Sequence, residues 1–279
     1  PHLKMRLEAA GLRLEKLADA DDLVRLPPLR KRDLPSLQAL APPFGGLVAA
    51  MVFEVMRGQV PAERPLRSLA ITFVGPVEPG VPTQFEAQVL REGRAVSQVL
   101  GKASQNGQVC ALVQGSFGSA RPSQVSVSGE SAPIIKRVEE CAELGYFQGL
   151  TPELVQHLAM RWAVGGMPFS NNPSREMSGW VRLREGAEEE VLSESHLLAL
   201  VDAWPPAVLS HLSRPASGSS LTWTIEFMQP APALHSLDWC QYRALIEHAQ
   251  DGYGHIAASL WAPSGELLAI SRQTVVVFG

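Results

Sequence analysis

The chain has 279 residues, of which 46% are hydrophobic and 19% are charged, and its formal net charge is −4. This composition is typical of one large or two small globular domains, and the weak negative charge argues against a nucleic-acid or an anionic-membrane partner. Three cysteines without CxxC spacing argue against a disulfide scaffold, and no apolar run reaches the roughly 20 residues of a membrane-spanning helix. With no apolar signal-peptide core near residue 1, we expect a cytoplasmic protein.

The first readable element is an apolar helix over Gly45–Gly58, and the closing glycine is a common helix terminator. Strands follow, because bulky apolar residues alternate with polar ones in the period of two that half-buried antiparallel strands show. The four strands are predicted within residues 66–76, 83–93, 95–104 and 109–117. The pair Asn106-Gly107 predicts a hairpin turn between the last two.

The next segment, residues 119–134, is rich in serine and proline and is predicted to connect two halves of the chain. Residues 136–158 predict an amphipathic helix that is broken near Gly145–Gly149. Two strands are predicted over Met160–Pro168 and Met177–Arg184. A second, mostly apolar helix is predicted over His196–Leu212. The last four predicted strands lie within residues 219–230, 237–249, 255–262 and 267–278.

The pattern of one helix followed by four strands therefore occurs twice. Three pairs of positions align in the same order in the two halves: Val52 with Asp202, Phe73 with Phe227, and Gly107 with Gly265. A long helix can bury its apolar stripe if a curved antiparallel sheet wraps around it, which is the hotdog architecture. The predicted fold class is thus an α+β double hotdog. Its predicted parts are an N-terminal hotdog over 1–118, a linker over 119–135 and a C-terminal hotdog over 136–279.

Asp202 is the most informative single residue. Its carboxylate lies in an apolar helical run, where a charge costs free energy unless it is paired or used in chemistry. Only the second half carries this acid, since Val52 takes the aligned position in the first. Asp202 could instead end or cap a helix segment before Trp204. Glu54, two residues after Val52, is another candidate base, although a structural or solvated role is the simpler interpretation.

A family resemblance extends over about residues 43–117 and 197–278. It is carried by FGGLVAAMVFEVM, RPLRSLAITFVGPVEPG, VLREGRAVSQVLGKASQNGQVCALVQGSF, LVDAWPPAVLSH, SSLTWTIEFMQP and LLAISRQTVVVF. In this order the runs resemble the type II acyl-CoA thioesterases, the TesB-like double-hotdog enzymes that hydrolyse fatty acyl-CoA to a free acid and CoA. The resemblance implies a catalytic trio of one Asp, one Ser or Thr and one Gln. These fall on Asp202, Ser220 and Gln273, and no cofactor or metal is implied.

This trio has the chemistry that thioester hydrolysis needs. Asp202 can act as the general base, while the Ser220 hydroxyl and the Gln273 amide can hydrogen-bond the attacking water. Thr222, two residues after Ser220 and expected on the same strand face, competes for the hydroxyl role. The loop after Asp202 is one residue shorter than the family pattern.

Substrate binding is predicted at Gly45 and Gly46, where the backbone N–H groups of a helix start can stabilise an oxyanion and glycine allows close approach. Three aromatic residues, Trp204, Trp223 and Phe227, either line an acyl tunnel or belong to the core. The acyl chain length is not predicted.

Other functions stay open at this stage. The main alternative is a non-catalytic acyl-CoA or acyl-chain binding protein on the same scaffold, because fold alone does not determine function. A hotdog hydratase or dehydratase would need a catalytic histidine beside an acid, and no histidine is placed for that role. The expected partner is an acyl-CoA substrate, with no nucleic acid and no membrane. A homo-oligomer is expected.

Overall fold

The computed structural model of the chain describes residues 15–16, 24–25, 45–78, 80–146, 153–184 and 191–278. The described residues form two compact units. Unit 1 contains those up to Ala120 together with Glu194–Leu198, and unit 2 contains those of Arg121–Ser193 and those from Ala199 onward. The domain limits predicted at residues 118 and 136 stay a prediction.

Unit 1 contains one complete helix and an antiparallel sheet. Helix α1 is Gly45–Arg57, as the apolar pattern and the following glycine predict. The sheet has the strand order β4-β5-β6-β3. Its strands are β3 (Leu66–Phe73), β4 (Gln84–Glu92), β5 (Val96–Gln105) and β6 (Gln108–Gly118). Two short strands, β1 (Glu15–Lys16) and β2 (Val24–Arg25), pair with each other.

Close packing of α1 against strand β5 depends on Gly101. A Cβ atom at this position would overlap Val52 Cγ1 and would lie 2.6 Å from Met56 Sδ. The absence of a side chain lets the helix approach the sheet directly, so that Val52 and Met56 are fully buried. The Phe53 and Phe117 rings stack beside them with centroids 6.1 Å apart. This apolar contact is the core of unit 1.

Unit 2 has an antiparallel sheet of six strands in the order β9-β12-β11-β10-β8-β7. The strands are β7 (Leu158–Val164), β8 (Glu176–Leu183), β9 (Ser217–Phe227), β10 (Cys240–Gln250), β11 (Tyr253–Trp261) and β12 (Leu267–Phe278). Three short 3-10 helices are Val138–Glu140, Glu153–Gln156 and Ala207–His211. Helix α2 is Glu194–Val201, of which Glu194–Leu198 is assigned to unit 1 and the remainder to unit 2.

The strand order repeats between the units, as the aligned positions predict. In unit 1 the order is β3-β6-β5-β4, and in unit 2 the corresponding strands follow as β9-β12-β11-β10. Phe73 and Phe227 are the last residues of β3 and β9. Gly107 and Gly265 both have positive φ in hairpin turns, at 77° and 86°. The repeated sequence pattern therefore corresponds to a repeated topology.

The amphipathic helix predicted over residues 136–158 is wrong for the described part of that segment. Residues 136–146 contain only the 3-10 helix Val138–Glu140 and an isolated bridge at Glu143, and a second 3-10 helix, Glu153–Gln156, follows residues 147–152, which lie outside the described chain. The backbone instead bonds outward: Leu144 N–H donates to Met160 O at 2.8 Å, and Lys136 O accepts from the Trp180 indole at 2.8 Å. These contacts to strands β7 and β8 replace the hydrogen bonds of a helix.

The second predicted helix, His196–Leu212, is also shorter than expected. Helix α2 ends at Val201, and only the 3-10 helix Ala207–His211 follows. Pro205 and Pro206 explain the break, because proline lacks the N–H of the helical ladder and disfavours helical geometry in the residue before it. Asp202 thus lies just beyond a helix end, whereas the aligned Val52 lies within α1.

No helix among the described residues combines the length and the apolar character that a bilayer crossing requires.

The three cysteines, Cys110, Cys141 and Cys240, are unpaired and buried. Burial, with a smaller contribution from the Asp238 charge, raises the pKa of Cys240 to about 12. Since only the thiolate reacts with alkylating reagents, we expect Cys240 in the folded protein to react with iodoacetamide at pH 8 roughly a thousandfold more slowly than a free thiol. Peptide mass spectrometry with and without guanidinium chloride measures this. Rapid native labelling of Cys240 would contradict the prediction.

Candidate active site

Three polar side chains from separate elements of unit 2 meet at one amide group. Gln273, in the middle of β12, donates from Nε2 to Asp202 Oδ1 at 3.0 Å and to Ser220 Oγ at 2.9 Å. Asp202 lies in the turn after α2, and Ser220 lies in β9. All three side chains are partly exposed. The structure therefore brings together the residues on which the family's trio falls in the sequence.

The Asp202 carboxylate lies at the carboxyl end of helix α2, where it needs a hydrogen-bond donor from another element. The carboxyl end of a helix carries partial negative charge, so an acid placed there is disfavoured unless a hydrogen-bond donor faces it. The Gln273 amide supplies such a donor at 3.0 Å. Half-burial next to the buried side chain of Val201 keeps the carboxylate partly away from solvent.

Ser220 reaches Gln273 because strand β9 contains a bulge. Thr222 pairs with Thr274 on β12, but the next β12 residue, Val275, pairs with Ser220, so Leu221 is the extra residue. A bulge of one residue reverses the side-chain alternation that follows it. Ser220 consequently shares the face of Gln273, while Thr222 is exposed on the opposite face. The expectation that Thr222 faces the same way as Ser220 is wrong for this reason.

A pocket opens beside this trio, and its space, including the solvent at its open mouth, is about 320 Å³. Its narrow interior has room for about one water molecule. The lining residues are Val201, Asp202, Trp204, Pro205, Pro206, Ala207, Trp223, Tyr242, Ile256, Ala258, Ser271 and Gln273. Of the three aromatic residues proposed for an acyl tunnel, Trp204 and Trp223 belong to the lining, whereas Phe227 does not and is buried in the core.

The Trp204 ring fills a slot on the face of the sheet, which we define as the space above Gly179 between the Trp162 and Tyr242 rings. Gly179 on β8 pairs with Trp162 on β7 and with Tyr242 on β10, so these three residues form a row across three strands. Trp204 lies over the glycine, with ring centroids 4.6 Å from Trp162 and 5.1 Å from Tyr242. The Trp204 and Tyr242 rings are parallel to within 4°. Because Trp204 follows Asp202 by two residues, this slot also anchors the turn that carries the acid.

Tyr242 and Ser271 line the pocket but were not among the sequence candidates. The period of two in β10 indicates that Tyr242 and Ala244 share a buried face, and this is the one signal that could have identified the tyrosine. Burial raises the pKa of the Tyr242 phenol, and the negative charge of Asp202 raises it further. The phenol is therefore a protonated hydrogen-bond donor at neutral pH.

The remaining candidates lie in unit 1. Gly45 and Gly46 are the first two residues of α1, where Gly46 is buried and Gly45 is partly exposed. Their role in substrate binding stays a prediction. Glu54, on the exposed side of the same helix, accepts a hydrogen bond from the Ser195 hydroxyl. This bond agrees with the structural role that is the simpler interpretation of Glu54 in the sequence.

The described residues contain no group of three or more His, Cys, Asp or Glu side chains that could hold a metal ion.

Two family models match the chain. The model of the acyl-CoA thioesterase N-terminal domain matches residues 35–118, and that of the acyl-CoA thioesterase C-terminal domain matches residues 138–277. The second match alone covers half of the chain. No curated protein matches the sequence significantly.

Solved structures with a similar fold cover almost the entire chain. A hot dog fold protein of unknown function from Alicyclobacillus acidocaldarius is 21% identical, with coverage of 98% of this chain and 97% of that chain and a TM-score of 0.76. The tesB protein of Mycobacterium avium subs paratuberculosis is 17% identical, with 98% of each chain covered and a TM-score of 0.74. The acyl-CoA thioesterase II TesB2 of Mycobacterium marinum is 17% identical, with 95% and 96% covered and a TM-score of 0.73. These similarities confirm the predicted double-hotdog fold.

Proposed function

The chain belongs to the acyl-CoA thioesterase family and is a thioester hydrolase, and from this premise we propose that it cleaves fatty acyl-CoA by means of a water held between Asp202, Ser220 and Gln273. The observation that carries the proposal is the single Gln273 amide, which bonds an acid and a hydroxyl beside a pocket of water size. The products are the free fatty acid and CoA.

The hydrogen-bond directions leave acceptors and donors for that water. Gln273 uses its Nε2 group on Asp202 and Ser220, so its Oε1 atom is the end of the amide that can accept from water. Ser220 accepts the amide N–H at its oxygen, so its own hydroxyl proton remains available as a donor. The ionised carboxylate of Asp202 can accept hydrogen bonds but cannot donate them. Asp202 is therefore the base that takes a proton from the water.

The reaction then follows from the positions of these groups. The water oxygen bonds to the thioester carbon while one water proton passes to Asp202, and the carbonyl oxygen becomes an oxyanion. Collapse of this tetrahedral intermediate breaks the carbon–sulfur bond, and the CoA thiolate recovers the proton from Asp202. Holding water and base in one geometry removes much of the entropic barrier of this step.

The alternative is a protein that binds acyl-CoA or an acyl chain without cleaving it. Incubation of the purified protein with acyl-CoA esters of two to eighteen carbons, with release of the CoA thiol followed spectrophotometrically, separates the two functions. Turnover of at least one ester supports the proposal. Saturable binding without thiol release at any chain length would favour the binding protein.

Ser220→Ala is expected to lower kcat by about tenfold to a hundredfold, because the water loses one of the groups that orient it. Thr222→Ala is the matched control, since Thr222 is two residues away on the same strand but exposed on the other face. We expect this control to keep kcat within about twofold of the wild type, which is less than the loss expected for Ser220→Ala. Equal losses in the two variants would contradict the assignment of Ser220.

The cytoplasmic location, a role in lipid metabolism and a homo-oligomeric state stay predictions, as does the part of Gly45 and Gly46 in binding the substrate.

A further inference from the structure

The Tyr242 hydroxyl has no role in the trio. The residue is 6% exposed and lines the pocket together with Asp202 and Gln273. Among the described residues, none forms a hydrogen bond with the Tyr242 hydroxyl. Because the side chain lines the pocket and its hydroxyl bonds to no described residue, the hydroxyl can bond to a substrate atom that enters the pocket.

The trio leaves no N–H group for the substrate's carbonyl oxygen, and its one free hydroxyl proton, that of Ser220, is assigned to the water. The Gln273 N–H groups point to Asp202 and to Ser220, and the Asp202 carboxylate can only accept. Charge nevertheless develops on the carbonyl oxygen during water attack, and donors aimed at that oxygen are usually the largest single contribution to catalysis. In unit 2, Tyr242 is a pocket-lining side chain whose O–H is available for this purpose.

We propose that the Tyr242 hydroxyl donates a hydrogen bond to the thioester carbonyl oxygen and stabilises the oxyanion of the tetrahedral intermediate. This inference rests on the proposed hydrolase function and adds a catalytic side chain to it. The phenol keeps its proton throughout. The water proton goes to Asp202, the carbon–sulfur bond breaks, and the CoA thiolate leaves, so Tyr242 contributes only an electrostatic interaction.

The geometry of the strand suits this role. Tyr242 lies on β10, which is hydrogen-bonded on one side to β8 and on the other to β11. Its ring is stacked on Trp204 with a centroid distance of 5.1 Å. A donor whose orientation is held in advance stabilises the transition state without reorganisation, which is the condition for a large rate effect.

Tyr242→Phe tests the proposal, with Tyr253→Phe, at an exposed position at the start of β11, as the matched control. Loss of one oxyanion donor is expected to reduce kcat by about a hundredfold while KM changes by less than about threefold. The Tm is expected to stay unchanged, because the removed hydroxyl has no partner among the described residues. A kcat within threefold of the wild type, or a loss confined to KM, would overturn the proposal.

A second readout does not depend on turnover. The probe is an acyl-CoA ketone in which a methylene replaces the thioester sulfur and the carbonyl carbon is ¹³C. Hydrogen-bond donation by Tyr242 is expected to move the bound ¹³C resonance downfield in the wild type and in Tyr253→Phe, but not in Tyr242→Phe. Identical shifts in all three proteins would overturn the inference. A shift that depends on Tyr242 in a protein without thioesterase turnover would contradict the hydrolase function alone.

Discussion

Asp202→Asn is expected to lower kcat for acyl-CoA hydrolysis by about 10²–10⁴-fold, the usual contribution of a positioned general base. Asparagine has nearly the same shape as aspartate, and its amide oxygen can still accept the hydrogen bond from Gln273, now 3.0 Å long. It cannot take up a proton from water. The substitution therefore removes the base and leaves the arrangement of the site in place, so KM is expected to change little.

The matched control for this experiment is Asp251→Asn. Asp251 lies in the turn between β10 and β11 with φ of 54°, a conformation that asparagine adopts readily. Steady-state thiol release by both variants and the wild type, together with Tm values, gives the comparison. Hydrolysis by Asp202→Asn at the wild-type rate would refute the assignment of Asp202 as the base. An equal loss of kcat in Asp251→Asn would show that the loss of one negative charge, and not the loss of the base, lowers kcat.

Much of the sheet could be predicted because the relevant signals are local. Alternation of buried and exposed residues locates strands such as β3 and β9, and both end at the aligned phenylalanines Phe73 and Phe227. The hairpin at Asn106-Gly107 depends on two residues that adopt positive φ, at 51° and 77°. Repetition of these signals in the same order was sufficient to predict the double hotdog.

The orientation of Ser220 could not be predicted in this way. Strict alternation places Ser220 and Thr222 on one face, and the bulge at Leu221 places them on opposite faces. A bulge depends on how two strands pair, which the pattern within one strand does not record. The family resemblance favoured Ser220, whereas the alternation of residues left Thr222 as a rival for the hydroxyl role.

The pocket wall also depends on pairing between distant strands. Trp162, Gly179 and Tyr242 lie far apart in the sequence, and only the registers of β7, β8 and β10 align them. Nothing near Gly179 in the sequence indicates that Trp204 will cover it. The predicted helix over 136–158 failed for a related reason, because outward hydrogen bonds such as that of Leu144 to Met160 determine the local backbone.

Gly179→Ala is expected to destabilise the protein by about 1–3 kcal/mol, the usual cost of overpacking a filled core. A Cβ atom at this position would overlap the Arg161 carbonyl oxygen and would lie 2.5 Å from Trp204 Cη2. The carbonyl belongs to strand backbone and cannot move without disturbing the pairing of β7 with β8. Trp204 is held between two rings and has little room to shift.

Relief of this overlap requires Trp204 to leave its slot, and Asp202 lies only two residues before it. We therefore expect Gly179→Ala to lower kcat by about tenfold or more in addition to lowering stability, since a displacement of about 1 Å of a catalytic group costs up to a hundredfold. Gly218→Ala, on β9, is the matched control because its added Cβ would meet atoms only at 3.5 Å and 3.7 Å, which is ordinary contact. Chemical denaturation and thiol-release kinetics on both variants test the two effects. If Gly179→Ala matched Gly218→Ala in stability and in kcat, the slot would have no part in positioning the acid.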